Sequence, residues 1–234
     1  TLSSFGSSLA ARSLIWSPTE IILLTLSLHE YYIWQPMQTR AHCIHIKDPS
    51  ITIENGAFSA DGQKYALSFS DCSVKIYHLD KQEEIASLSF SSPLTIINFK
   101  QIHDDDFLIA VDIDRYVSIH RISDKSIIRK NELPFEALQM TELNIGETNF
   151  FLFSGISNKI SIFTDNLMFL DNIQCNENWI WDFQIDNCKN LFLCGRSGVI
   201  EMRSLSIPSF STSNSNFIIY IENLNRFCLK NTLN

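Results

Sequence analysis

An all-β fold of four-stranded propeller blades is predicted for this chain of 234 residues, and three observations predict it. Short alternating runs ending in a large residue recur as Tyr32-Ile33-Trp34, Val74-Lys75-Ile76-Tyr77, Val117-Ser118-Ile119-His120, Ile160-Ser161-Ile162-Phe163 and Ile200-Glu201-Met202-Arg203. Their penultimate residues stand at 33, 76, 119, 162 and 202, so the spacing is 43 three times and then 40. A period of about 40–45 residues built of short strands is what such blades produce, and the 3.6-residue apolar spacing of helical repeats is absent. The vocabulary agrees, with 17 Phe, 6 Tyr and 4 Trp against only 7 Gly.

Taken in order, the first period begins near Arg12 and contains Leu14-Ile15-Trp16 and the run Ile21 to Leu28, interrupted by Thr25 and Ser27. That run is far short of the roughly 20 residues of a membrane helix. In the second, Ile53 to Phe58 is closed by Ala60-Asp61-Gly62, Lys64 to Phe69 by Ser70-Asp71-Cys72, Ser73 to His78 by Leu79-Asp80-Lys81, and Glu84 to Ser89 is the fourth strand. The third offers Thr95 to Phe99, Phe107 to Val111 and Tyr116 to Arg121, with His103-Asp104-Asp105-Asp106 as a turn. Ala137 to Leu143, Asn149 to Phe153, Lys159 to Thr164 and Met168 to Ile173 make the fourth. The fifth has Trp179 to Ile185, Asn190 to Cys194 and Gly198 to Arg203. Pro208 to Asn216 reads as a Ser/Asn linker, followed by a strand candidate from Phe217 to Ile221. The expected division is therefore blades over 1–207 and a trailing segment over 208–234. Each blade has two apolar faces that only neighbouring blades can cover, so an incomplete ring would leave Leu14-Ile15-Trp16 and the Phe192 strand as adhesive surfaces.

With 45% hydrophobic and 19% charged residues, the chain is neither wholly disordered nor collagen-like. A net charge of −8, with no basic cluster longer than Arg129-Lys130, argues against nucleic-acid or acidic-membrane binding as its main task. Six cysteines at 43, 72, 175, 188, 194 and 228 form no Cys-x-x-Cys pair, which fits reduced cytosolic thiols rather than a disulfide framework. Opening at Thr1 without a charged-then-apolar leader, the chain reads as a fragment or a processed piece, with no sign of secretion.

Residues that could carry chemistry are few. His42-Cys43-x-His45 holds three potential metal ligands, but His42 and Cys43 point to opposite faces of a strand, so a polar blade-edge strand is expected. Asp104-Asp105-Asp106 lacks the ligand spacing and Gly of a calcium loop and reads as a solvated hairpin tip. Gly195-Arg196-Ser197-Gly198 lacks the Lys-Ser/Thr of a phosphate loop and sits where a hairpin needs glycines. No nucleophile elbow is present. No catalytic, cofactor-binding or metal-binding residue is therefore assigned, no cofactor is expected, and the chain is read as a non-enzyme. In Asn178-Trp179-Ile180-Trp181-Asp182 the two indoles share one strand face, directed either into a core or outward as an anchor; core packing is the expectation.

Ala60-Asp61-Gly62-Gln63 followed by Ser70-Asp71-x-Ser73-Val74-Lys75-Ile76-Tyr77 resembles a WD40 repeat, with Tyr77 in place of that family's Trp. Elsewhere the pattern is degenerate: Trp34 is followed by Gln35, His120 by Arg121, and no Gly-His dipeptide occurs. The hydrogen-bond tetrad of such blades is mostly missing, so cohesion is expected from packing. A closer resemblance runs through Ile15-Trp16-Ser17-Pro18, Tyr32-Ile33-Trp34, Phe58 to Leu67, Leu108-Ile109-Ala110-Val111-Asp112, Lys159 to Thr164 and Asn178-Trp179-Ile180-Trp181. These segments are similar to the first propeller of the intraflagellar transport 122 family, whose opening blades and long acidic insertion are absent here. The resemblance implies about five blades of a seven-bladed ring, with a second propeller and helical repeats beyond Asn234. It further implies a scaffold in retrograde ciliary transport, cilium assembly and ciliary membrane-protein trafficking. Its partners would be other subunits of transport complex A and ciliary cargo proteins, without nucleic acid or membrane insertion. Its location would be the cilium, ciliary base and cytoplasm, associated with the cytoskeleton. The alternatives are another WD-repeat trafficking or coat subunit, and a propeller hydrolase or metal-binding propeller.

Overall fold

The structure is a computed structural model that describes residues 10–38, 40–102, 105–145, 148–186, 190–205, 211–213, 217–222 and 226–231. Among these residues the elements are antiparallel strands and one short 3-10 turn, Pro36–Gln38. No helix among the described residues is long and apolar enough to cross a membrane. Two compact units are present, Thr1–Ala137 and Leu138–Asn234.

In the first unit, three four-stranded sheets follow one another in sequence. The first orders β1 (Ser13–Trp16), β2 (Leu23–Leu26), β3 (Glu30–Gln35) and β4 (Arg40–His45). The second contains β5 (Ile53–Phe58), β6 (Lys64–Phe69), β7 (Ser73–His78) and β8 (Glu84–Ser89), with the bounds that the turn compositions predict. β9 (Leu94–Ile102), β10 (Asp105–Asp112), β11 (Tyr116–Arg121) and β12 (Ile127–Glu132) form the third. β1 lies against β5 and β5 against β9, so the sheets meet along their first strands, while β4, β8 and β12 are the opposite edges.

Alternation explains how one strand serves two interfaces. Tyr65, Leu67 and Phe69 of β6 join Leu24, Leu26, Tyr31 and Ile33 in the core between the first and second sheets. Ala66 of the same strand turns the other way and joins Val74, Ile76, Ile97, Phe99 and Leu108 between the second and third. Gly56 in β5 stands in close contact with the first sheet: a Cβ there would lie 3.0 Å from Ile15 Cδ1 and 3.1 Å from Leu26 Cδ1. Polar contacts supplement the packing. Asn55 Nδ2 donates to Thr95 O at 2.8 Å, and the Lys64 ammonium pairs with Asp106 across the second and third sheets.

That ion pair corrects the reading of the acidic run. His103 and Asp104 lie outside the described residues. Asp105 and Asp106, however, begin β10 rather than tipping a solvated turn, because Lys64 and, at 3.7 Å, Arg121 give their carboxylates partners on the sheet. The third sheet also gains β12, whose six residues are all exposed and carry no alternating burial for a sequence reading to detect. The expected loss of the tetrad has a structural counterpart. Asp71 accepts from Ser73 N at 3.0 Å and from Ser73 Oγ at 2.6 Å, a local turn, while Tyr77 stacks on Tyr65 with centroids 5.2 Å apart.

The second unit holds a four-stranded sheet, β13 (Ala137–Ile145), β14 (Thr148–Gly155), β15 (Lys159–Thr164) and β16 (Phe169–Gln174). A three-stranded sheet follows, β17 (Ile180–Ile185), β18 (Asn190–Gly195) and β19 (Ile200–Ser204). Phe150, Leu152 and Ile160 pack against Ile180, Phe183, Leu191 and Leu193 between them. Where the sequence reads a linker and a single strand, a sixth sheet runs through β20 (Ser211–Ser213), β21 (Phe217–Glu222) and β22 (Arg226–Asn231). β20 and β22 pair with β21 through backbone hydrogen bonds, and the Ser-rich β20 carries no apolar signature of its own.

His120 in β11 is 6% exposed, its Nε2 2.9 Å from Ser118 Oγ and its ring edge-on to Phe90. Burial, with the Lys130 charge nearby, depresses its pKa below the ordinary histidine value of about 6.5. Below about pH 6.5 the unfolded chain then binds more protons than the folded one, so stability is full above that pH and falls as pH drops through the depressed folded value. Urea midpoints measured at pH 7.5 and pH 5 are expected to differ less in His120→Gln than in the parent; an unchanged difference would remove His120 from the titration.

Candidate functional site

Three features of the surface can contact other molecules. The first is a groove of about 530 Å³ between the first two sheets, floored by Tyr31 and Tyr77 and rimmed by Ile44, Lys75, Asp71 and Glu84. Tyr31 Oη lies 3.1 Å from Tyr65 Oη, and burial pushes the pKa of Tyr31, Tyr65 and Tyr77 up, so the floor is neutral. Asp48 at its margin is held below the usual carboxylate range by hydrogen bonds from the Ser50 hydroxyl and then its backbone N–H. The groove offers aromatic area with mixed charge at the rim and no convergent acid–base pair.

The second feature is the indole pair of the fifth sheet. Trp179 and Trp181 do share a face, stacked at 5.0 Å and 22°. Arg196 lies 5.7 Å from the Trp179 ring. The expectation of core packing fails for Trp181, which is 51% exposed. A register shift sets Ile180 opposite Gly195 and Asp182 opposite Cys194, leaving Trp181 as the extra residue of a bulge, exposed on the face it shares with Trp179. The exposed edges agree only in part with expectation. Leu14 and Trp16 are exposed, but Phe192 is half-buried, and in the fifth sheet Ile200 and Met202 of β19 are exposed instead. β19 is the last strand of its sheet, and among the described residues no strand pairs with its outer edge.

The Gly195–Gly198 loop is a hairpin turn, with Gly198 N donating to Gly195 O at 3.2 Å and φ of +77° at Gly198. Its interior is taken by Glu177, which accepts hydrogen bonds from Ser197 N at 3.3 Å and from the Ser197 hydroxyl. A carboxylate there repels the anion a phosphate loop would hold. Cys175 is buried and its thiol pKa is pushed up to about 11, chiefly by burial, which leaves it protonated and unreactive at neutral pH.

The third feature lies on β3 and β4. His42 points away from Cys43 and His45, as expected from strand geometry, but Glu30 sits directly opposite His45 and Tyr32 opposite Cys43. Glu30, Cys43 and His45 thus converge, with one potential ligand atom from each within 4.8 Å of the others. Reading β4 by itself misses this, because the carboxylate comes from the neighbouring strand.

Four-stranded antiparallel blades whose sheets pack face to face within each unit define a WD40-like β-propeller. The fold is shown also by a TM-score of 0.66 to a chain in the crystal structure of the mitotic checkpoint complex, at 12% identity over 91% of this chain and 70% of that one. Among curated proteins the chain is similar to the intraflagellar transport protein 122 homolog of Mus musculus, 22% identical over 196 residues. The match covers 81% of this chain and 16% of that protein's length. No family model matches the sequence.

Proposed function

We propose that the chain is the propeller part of a non-enzymatic scaffold, a subunit of an intraflagellar transport A complex. It acts in retrograde ciliary transport, cilium assembly and ciliary membrane-protein trafficking, at the cilium, its base and the cytoplasm. In this reading residues 1–207 supply the blades and 208–234 lead into a following segment. The observation that carries it is the similarity to the mouse protein over most of the chain, supported by an exposed Trp anchor on the fifth sheet. Exposed, preordered indoles are the side chains that most often dominate protein interfaces.

Tagged full-length protein purified from ciliated cells is expected to bring down the other complex A subunits together. Trp181→Ala in that protein is expected to reduce their recovery severalfold. Recovery with vesicle-coat subunits instead would assign the chain to another trafficking assembly, and recovery of neither would overturn the scaffold reading.

A further inference from the structure

We propose that Glu30, Cys43 and His45 form a zinc site on the first sheet, beside the groove that His45 also lines. Four observations on β3 and β4 carry it. Cys43 Sγ lies 3.6 Å from His45 Nε2 and 3.7 Å from Glu30 Oε2. In a tetrahedral zinc site with bonds of about 2.0–2.3 Å, neighbouring ligand atoms are separated by about 3.3–3.8 Å, so these edges already have the required length. His45 Nδ1 stands 3.2 Å from the same Glu30 oxygen, so both ring nitrogens border the cluster and the ion takes one of them.

Burial separates this group from an incidental surface cluster. The Glu30 side chain is only 2% exposed, whereas that of His45 is 72% exposed. Burying a carboxylate is costly unless cations and hydrogen bonds offset it. The Tyr32 hydroxyl donates to Glu30 Oε1 at 2.7 Å, which fixes the carboxylate and leaves Oε2 facing Cys43 and His45. Such orientation of a ligand by a neighbouring donor is typical of metal sites. The donor set of one thiolate, one imidazole and one carboxylate is that of zinc rather than of magnesium or calcium, which take oxygen ligands. Three protein ligands leave the fourth position to water. When the ion binds, a zinc–sulfur bond forms as the Cys43 thiol proton passes to buffer, so binding weakens as pH falls.

The full 234-residue chain, purified without chelators and titrated with zinc ions against a colorimetric zinc chelator, is expected to bind one equivalent. Cobalt(II) in place of zinc is expected to give a sulfur-to-metal charge-transfer band together with intense tetrahedral d–d bands. Cys43→Ser should abolish the charge-transfer band and His45→Ala the one-to-one binding; both residues are exposed, so neither change disturbs the core. Tyr32→Phe should weaken binding about 10–100-fold through the loosened carboxylate. His42→Ala, on the opposite face, should bind as the parent does. Absence of a one-to-one zinc complex in the parent chain, or a cobalt spectrum unchanged in Cys43→Ser, would overturn the proposal.

Discussion

Replacing Tyr65 by alanine is expected to cost about 3–5 kcal/mol of folding stability, the range for losing a large buried aromatic side chain. Tyr65 has no exposed surface and is the central ring of the interface between the first two sheets. Tyr77 stacks on it, Phe58 meets it edge-on with centroids 6.4 Å apart, and its hydroxyl is hydrogen-bonded to that of Tyr31. Deleting the ring removes this packing and leaves the Tyr31 hydroxyl without its partner. Tyr65→Phe keeps the ring and loses only the hydroxyl contact, so it should cost about 1 kcal/mol. Guanidinium denaturation of the two variants beside the parent separates the terms. If Tyr65→Ala matched the parent, the packing of these sheets around a tyrosine cluster would be wrong.

The second large effect comes from adding atoms rather than removing them. Gly56→Val is expected to destabilise by about 1–3 kcal/mol, the usual cost of overfilling a packed core. Its Cβ would press on Ile15, Leu26 and, at 3.3 Å, Leu24, three side chains that are themselves fixed between sheets. Shortening an opposing residue in the same chain, Leu26→Ala, should give back part of the loss, and this coupling distinguishes a steric conflict from a change in strand propensity. Additive losses in the double variant would place Gly56 away from that contact.

Both effects depend on the closeness of the sheets, and this could not be read from the repeat. What could be read was local. The second sheet matches its predicted strands residue for residue, because each apolar run there is closed by a turn whose chemistry is visible: Asp61 accepts from Gln63 N at 3.0 Å, and Asp71 caps the turn through Ser73. β12 has no buried residue and was missed for that reason. Asp105 and Asp106 looked like a hairpin tip until Lys64, about forty positions earlier, supplied a counter-charge. Alternation places Trp181 on one face with Trp179, as found, but that face leaves the Trp181 ring exposed beside a one-residue bulge rather than covered by a core. The Glu30, Cys43 and His45 group was only half visible, since its buried carboxylate and the Tyr32 hydroxyl that orients it belong to a different strand.

The amino-acid order by itself determined the repeat, the strand class and most strand positions, because alternation and turn formation depend on residues within a few places of one another. Only the tertiary structure decided which side chains meet: Tyr31 with Tyr65, Lys64 with Asp106, Glu30 with Cys43 and His45. The physical reason is register. Shifting β3 by a single residue would turn Glu30 and Tyr31 away from their partners, and shifting β6 would do the same to Lys64 and Tyr65, without altering the local pattern of either strand.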